Sequence, residues 1–364
     1  MYKIAIKDMN TLFSKIAGEQ ELILPVKKAG QYNFGVYEEG ADTEGILTNK
    51  TVKSAKDAFF PQFETLYNVK KTITPADELE NGEEASGTKI RTKLEVQMEE
   101  LKDKDFVVFG MRGCDVKAVD VLDKVFLSDP IDNYYKARRD HGIIVALACH
   151  EPEESCFCTV FGIDPSDPKA DVATWVVGED LYWKPMTEKG TKLTESVKDI
   201  LSDADEGAIE EEKANIKAIM DKLPNTKLSL EGWGRGKTDE KFNSEVWGKI
   251  YNPCLGCGTC TFVCPTCQCY DIKDYTTKDG IQRYRCWDSC MYSDFTLMAG
   301  GQNRTSQLQR FRQRFMHKLV YFPDRYDGMF SCVGCGRCVD KCPQSLNIIK
   351  VIKAFEKAEK GGAV

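Results

Sequence analysis

The sequence predicts a chain of the α+β or α/β class in two domains, a mixed α/β domain over residues 1–240 and a mainly helical domain over residues 241–364. Its length of 364 residues exceeds the usual size of a single domain. The first part contains buried strand-like runs joined by a helical pattern. The last third contains few such runs and several segments with helical periodicity.

The N-terminal part carries a β-α-β pattern. Residues 105–109 and 142–147 are apolar runs typical of buried strands, and residues 116–126 have the spacing of an amphipathic helix. Strands joined in this way lie parallel, so their carboxyl ends meet at one edge of the sheet, where the ligand sites of α/β folds gather. Cys114 and Cys149 each follow one of these ends.

The sixteen cysteines are distributed unevenly. None precedes Cys114, four lie from Cys114 to Cys158, and twelve lie from Cys254 to Cys342. The cysteine-free stretch between the two groups includes a charged segment, 203–222, with the pattern of a solvated helix. The distribution indicates two metal-bearing regions and supports the division into two domains.

The charge balance argues against nucleic acid and anionic membranes as partners. Fifty lysine and arginine residues against 57 aspartate and glutamate residues give a net charge of −7. No apolar run is long enough for a signal peptide or a membrane span, so we expect a cytoplasmic protein. Thiols stay reduced in that compartment, and metal ligation therefore explains the cysteines better than disulfides do.

The strongest signal is a motif that occurs twice in the C-terminal part. Its spacing, C-x₂-C-x₂-C-x₃-C-P, is the one with which bacterial ferredoxins bind [4Fe–4S] clusters. Three closely spaced thiolates bind one cluster, and the fourth cysteine, followed by proline, ligates the other cluster. The predicted ligand sets are Cys254, Cys257 and Cys260 with Cys342, and Cys332, Cys335 and Cys338 with Cys264.

Paired CxxC knuckles also bind zinc, which is the alternative for these motifs. Two complete copies, each with its third cysteine and its proline, favour two [4Fe–4S] clusters. The 67 residues between Cys264 and Cys332 are too many for a compact small ferredoxin, and we expect helices in this insertion. Helical patterns over 306–319 and 346–360 complete a mainly helical, ferredoxin-like [4Fe–4S] dicluster domain.

Eight further cysteines form two quartets that are candidates for a third and a fourth cluster. The first quartet meets at the sheet edge if its Cys-Phe-Cys loop folds back over that edge, and we predict a metal site there. The second lies between the two motifs with a non-standard spacing, and buried core thiols are an equal alternative for it. The quartets are Cys114, Cys149, Cys156 and Cys158, and Cys267, Cys269, Cys286 and Cys290.

The helix predicted from Ser306 has a basic face with two phenylalanines between the basic residues. Such a face can indicate RNA binding. In an acidic chain we expect instead a solvated helix that offsets the negative charge of thiolate-ligated clusters or docks an acidic partner. The residues are Arg310, Arg312, Arg314, His317 and Lys318, with Phe311 and Phe315.

The sequence lacks the patterns of nucleotide sites and of His-based catalysis. No GxGxxG follows a strand, and no GxxxxGK[ST] occurs. The chain has only three histidines. We therefore predict clusters without flavin or nicotinamide, and we name no catalytic residue.

Several segments together resemble one family over most of the chain, the iron–sulfur beta subunit of cytosolic [NiFe] sulfhydrogenases and the corresponding iron–sulfur subunit of the anaerobic sulfite reductase. The cysteine at position 286 departs from the family pattern. The segments are Gly113-Cys-Asp115, Cys156-Phe-Cys158, Cys264-Pro-Thr-Cys-Gln-Cys-Tyr270, Trp287-Asp-Ser-Cys290, Ala299-Gly-Gly-Gln302 and Cys332-Val-Gly-Cys-Gly-Arg-Cys338.

The resemblance implies an electron-transfer subunit without catalysis of its own. It would work between an FAD-containing NAD(P)H-oxidising subunit and a catalytic subunit, either a hydrogenase or a siroheme sulfite reductase. One alternative is a self-contained iron–sulfur enzyme with a substrate-binding cluster, which would leave one iron without a cysteine ligand. A heterodisulfide-reductase-type subunit is the other, and it ranks last because the chain has no Cys-Cys dipeptide.

Overall fold

The computed structural model describes residues 1–41, 45–47, 51–75 and 90–363, to which all structural statements refer. Within these ranges no helix is both long enough and apolar enough to cross a membrane. The strands are β1 Tyr2–Ala5, β2 Glu21–Lys28, β3 Gln31–Val36, β4 Phe63–Pro75, β5 Ile90–Met98, β6 Phe106–Met111, β7 Gly142–Leu147, β8 Val172–Val177, β9 Asp180–Pro185, β10 Ser202–Asp203, β11 Tyr270–Thr277, β12 Gly280–Trp287, β13 Leu297–Met298 and β14 Gly301–Gln302.

Thirteen α-helices are found in the described residues, together with short 3-10 turns and one π-helical turn over His317–Tyr321. The helices are α1 Met9–Glu19, α2 Lys56–Phe59, α3 Gly113–Phe126, α4 Asn133–His141, α5 Glu188–Val197, α6 Ala208–Asp221, α7 Thr238–Phe242, α8 Val246–Ile250, α9 Thr259–Phe262, α10 Gln307–Met316, α11 Phe322–Arg325, α12 Arg337–Asp340 and α13 Ile348–Glu359.

A mixed eight-stranded sheet, in the order β10-β1-β9-β8-β7-β6-β2-β3, forms the N-terminal part. Strands β2, β6, β7 and β8 are parallel to one another. Side chains alternate along β6, so Val107 and Phe109 pack with α1 and α5 on one face, while Phe106 and Val108 pack with α3 on the other. The predicted β-α-β unit is confirmed, and the chain leaves β6 and β7 at the same edge, just before Cys114 and Cys149.

A second, four-stranded antiparallel sheet has the order β11-β12-β4-β5. The hairpin β11-β12 belongs to the insertion between the two cysteine motifs, where we expected helices alone. It forms because β4 supplies a pairing partner more than 200 residues earlier in the chain, with Val69 opposite Ile281. Such a pairing depends on the tertiary fold and is invisible in local periodicity.

The helices of the C-terminal part pack around a cluster of aromatic rings. Trp247 of α8 contacts Phe355 of α13, with ring centroids 4.7 Å apart, and Phe311 and Phe315 of α10 complete the contact. Trp233, which precedes the predicted domain boundary, also packs on Phe355 at 4.9 Å. The mainly helical dicluster domain is thus present, with the hairpin as an addition.

The second cysteine motif lies directly against the loop that contains Cys156 and Cys158. The Phe157 amide donates to the Gly334 carbonyl at 2.9 Å. Gly334 has a φ of +60°, and a Cβ there would lie 2.4 Å from the Phe157 carbonyl oxygen. Beside it, the buried Arg337 donates to both carboxylate oxygens of buried Asp115, at 2.5 and 2.7 Å. Backbone contact and a buried ion pair therefore join the two parts of the chain.

This contact predicts that alanine substitution lowers the stability of the protein by different amounts at two equivalent glycines. Gly256 and Gly334 occupy the same position in their motifs and both have positive φ, so an alanine at either position costs about 1–2 kcal/mol of backbone strain. At Gly256 the new Cβ meets only the flexible side chain of Gln307, whereas at Gly334 it meets backbone. Gly334→Ala should therefore lower the free energy of unfolding by roughly a further 1–3 kcal/mol. Thermal unfolding of both variants under anoxic conditions tests this prediction. Equal losses of stability in the two variants would contradict the backbone contact at Gly334.

Candidate metal centres

The cysteines of the first predicted set surround one cavity. Two of its thiols accept hydrogen bonds, Cys254 Sγ from Gln307 Nε2 at 3.3 Å and Cys342 Sγ from the Leu346 amide at 3.2 Å. Gly258, with a φ of +74°, turns the chain into α9 and keeps the cavity wall free of a side chain. The lining cysteines are Cys254, Cys257, Cys260 and Cys342, so the structure brings the fourth cysteine of one motif to the first three of the other.

The second predicted set is grouped in the same crossed way. Burial raises the pKa values of the Cys332, Cys335 and Cys338 thiols, and the nearby Cys264 thiol raises each of them further. The pKa of Cys335 reaches about 12. Burial also disfavours ionisation of Cys264, but the Lys318 ammonium beside it brings the pKa of that thiol below its ordinary value. This set therefore lies in a low-dielectric environment with a cation on one side.

The N-terminal quartet surrounds a second cavity. The Cys156–Cys158 loop folds back over the sheet edge as the sequence predicts, and all four thiols reach the cavity. Burial, followed by the Asp115 carboxylate, raises the pKa of Cys114 well above its ordinary value. The wall is lined by Cys114, Cys149, Cys156 and Cys158, and also by Gly334, Cys335 and Arg337 of the second motif.

The Cys332 set has a neighbour in each of the other two sets. Cys335 belongs to the second set and also lines the N-terminal cavity, where Cys156 Sγ is 4.0 Å from the Cys335 carbonyl oxygen. Cys260 of the first set is close enough to Cys338 of the second set to raise the pKa of the Cys338 thiol. The second set is therefore close to both of the others.

The remaining quartet is only partly assembled. Cys269 interacts with both Cys267 and Cys290, so three thiols are together. The charged groups around Cys286 are Lys273, Asp271 and Asp288, and no cysteine is among them. The cause is strand alternation, because Cys286 and Trp287 are neighbours on β12 and point to opposite faces, and Trp287 is the one buried in the core.

The basic helix is not uniformly solvated. Arg312 is only partly buried and lies over the Phe242 ring, 3.6 Å from its centroid, whereas Arg314 and Lys318 are buried, with 3% and 7% exposure. A signal for this was present in the sequence, since these two residues share the apolar face of the helix with Phe311 and Phe315. The Arg337–Asp115 pair and Thr266, which lies beside Cys264, were not predicted from the sequence, and no motif marks Thr266.

The residues present fit [4Fe–4S] clusters. Each of the three sets offers four thiols, the ligand number that such clusters take. The first cavity is also lined by Arg314, whose Nε and Nη2 have no hydrogen-bond partner among the described residues, although they are buried. A buried guanidinium with unused donors requires an acceptor of negative charge. In the described part of the chain, no three histidine, cysteine, aspartate or glutamate side chains form a group that could hold a metal ion as they stand.

Comparisons with known proteins agree with this geometry. Residues 253–346 match the family model of the 4Fe-4S dicluster domain. The chain is 37% identical over 254 residues to the sulfhydrogenase 2 subunit beta of Pyrococcus furiosus, an alignment that covers 69% of this chain and 74% of that protein. With its dicluster domain and this level of identity, the chain belongs to the family of iron–sulfur beta subunits of sulfhydrogenases.

Proposed function

We propose that this chain is a cytoplasmic electron-transfer subunit, which relays electrons between a flavin-containing, NAD(P)H-oxidising subunit and a catalytic subunit of hydrogenase or sulfite reductase type. The observation that carries the proposal is the grouping of the cysteines into three sets, with the Cys332 set close to both others. A group of neighbouring redox centres is useful to a relay, because each centre needs a neighbour within short range. The relative from Pyrococcus furiosus is itself named as a subunit, which favours an assembly with partner chains.

The cysteines would hold the clusters in crossed sets. In this proposal the Cys254 motif binds one [4Fe–4S] cluster together with Cys342, and the Cys332 motif binds another together with Cys264. When bound, such clusters accept and release single electrons. The chain's own part is to position the ligands, most of which are at least partly buried, while Cys257 stays exposed. Hydrogen bonds from Gln307 and from the Leu346 amide hold the ligating sulfurs in place.

A third cluster in the N-terminal domain is part of the proposal. All four thiols of that quartet line one cavity, so each iron of a cubane would have a cysteine ligand. This favours the relay over the self-contained enzyme, because a substrate-binding cluster needs an iron without a protein ligand. Cys267, Cys269 and Cys290 stay a candidate for a fourth centre, to which Cys286 would contribute no ligand.

Metal content separates the candidate sets. The protein purified without oxygen should contain iron and acid-labile sulfide for at least three [4Fe–4S] clusters. Replacing both Cys156 and Cys158 with serine should remove the equivalent of one cluster, because both line the N-terminal cavity. Cys286→Ser is the matched control and should leave the iron content unchanged. Stoichiometric zinc in place of iron, or no loss of iron in the double variant, would contradict these assignments.

Electron delivery tests the proposed partners. The isolated chain should not be reduced by NADH or NADPH, because we predict no flavin or nicotinamide site on it. After anoxic purification of the assembly that this chain forms, a flavin-containing subunit should be present, and NAD(P)H should then bleach the iron–sulfur absorption. Bleaching of the isolated chain by NAD(P)H, or an assembly without a flavin-containing subunit, would contradict the proposed place of this subunit.

A further inference from the structure

Helix α10 and the π-helical turn that follows it carry two buried cations. Arg314 and Lys318 are four residues apart, on the side of the helix that faces the cysteines. Burial of a cation is costly unless a negative group lies close to it. No salt bridge with a carboxylate involves either side chain within the described ranges. The two side chains therefore indicate where negative charge lies in the working protein.

Arg314 lies between the two C-terminal sets. It lines the cavity of the Cys254 set, and its Nε and Nη2 have no hydrogen-bond partner in the described residues. Burial disfavours its charged form, but the thiols of Cys260, Cys338 and Cys264 keep its pKa above the ordinary value. Cys260 belongs to one set, and the other two thiols belong to the second. The guanidinium is thus close to ligands of both proposed clusters.

Lys318 reaches one set only. Its Nζ donates to Thr266 Oγ1 at 2.9 Å and to the Ser331 carbonyl at 3.4 Å. The Thr266 hydroxyl donates to the Ser331 carbonyl, and its oxygen lies 3.2 Å from Cys264 Sγ, so a single side chain separates the ammonium from a proposed ligand of the Cys332 set. Cys264, Cys332 and Cys338 of the Cys332 set are all near this ammonium, which acts to lower their pKa values.

We propose that Arg314 is a countercharge shared by both clusters of the dicluster domain, and that Lys318 is a countercharge for the Cys332 cluster alone. This inference rests on the proposed function and names the residues that tune its redox centres. Neither residue is a ligand. Each acts by stabilising the reduced state, which carries one more negative charge than the oxidised state, and so raises the reduction potential.

The test is a redox titration of the full-length protein, followed by electron paramagnetic resonance, with three variants. Arg314→Gln, which removes the charge and keeps hydrogen-bond donors, should make both potentials more negative. Lys318→Met should lower the potential of the Cys332 cluster and leave that of the Cys254 cluster at the wild-type value. Arg312→Gln, on the same helix but stacked on Phe242 away from the cysteines, should change neither.

The outcomes separate this inference from the proposed function. A wild-type protein with fewer than two clusters would overturn the proposed function itself. Wild-type iron content with unchanged potentials in Arg314→Gln, or a comparable fall of both potentials in Arg312→Gln or Lys318→Met, would overturn the countercharge assignment. If Arg314→Gln loses its clusters, Arg314→Lys provides the test instead. Potentials of Arg314→Lys close to the wild-type values would support a role for the charge. Two lowered potentials, despite the retained cation, would contradict it.

Discussion

The backbone of Gly334 lies against the backbone of Phe157, and the rest of the site depends on this approach. Only a residue without Cβ fits there, because an added carbon would lie 2.4 Å from the Phe157 carbonyl oxygen. The approach brings Cys335 into the wall of the N-terminal cavity, and the buried Arg337–Asp115 pair fixes the same two segments next to it. One contact thus makes the N-terminal cysteines neighbours of the dicluster domain, although the two groups are far apart in the chain.

Charge is the second constraint on the site. A chain with a net charge of −7 concentrates its thiols in a low-dielectric interior, where thiolate ligands and the clusters they hold repel one another. Two cations lie in the interior near these thiols. Arg314 is close to thiols of both C-terminal sets, and Lys318 is beside Cys264. The family relationship and the dicluster domain account for the presence of clusters. In the proposed function, these buried cations would stabilise the additional negative charge of reduced clusters that lie close to one another.

Sequence patterns predicted most of this arrangement where the signal is local. The apolar runs and the helix between them gave the β-α-β unit that carries Cys114 and Cys149, and motif spacing gave the crossed grouping of the C-terminal cysteines. Long-range effects were not predictable. The hairpin β11-β12 depends on pairing with β4, and its strand alternation turns Cys286 away from the other thiols. The burial of Arg314 depends on the packing of α10, which the positions of the basic residues in the sequence do not reveal.

The central claim is that the three cysteine sets hold clusters close to one another. Magnetic coupling between the reduced clusters tests this claim most directly. Electron paramagnetic resonance of the fully reduced protein should show signals broadened by spin–spin interaction. In the protein with both Cys156 and Cys158 replaced by serine, the part of this interaction that involves the N-terminal cluster should disappear, while the two C-terminal clusters stay coupled. A fully reduced spectrum that equals the sum of three isolated clusters would contradict the account.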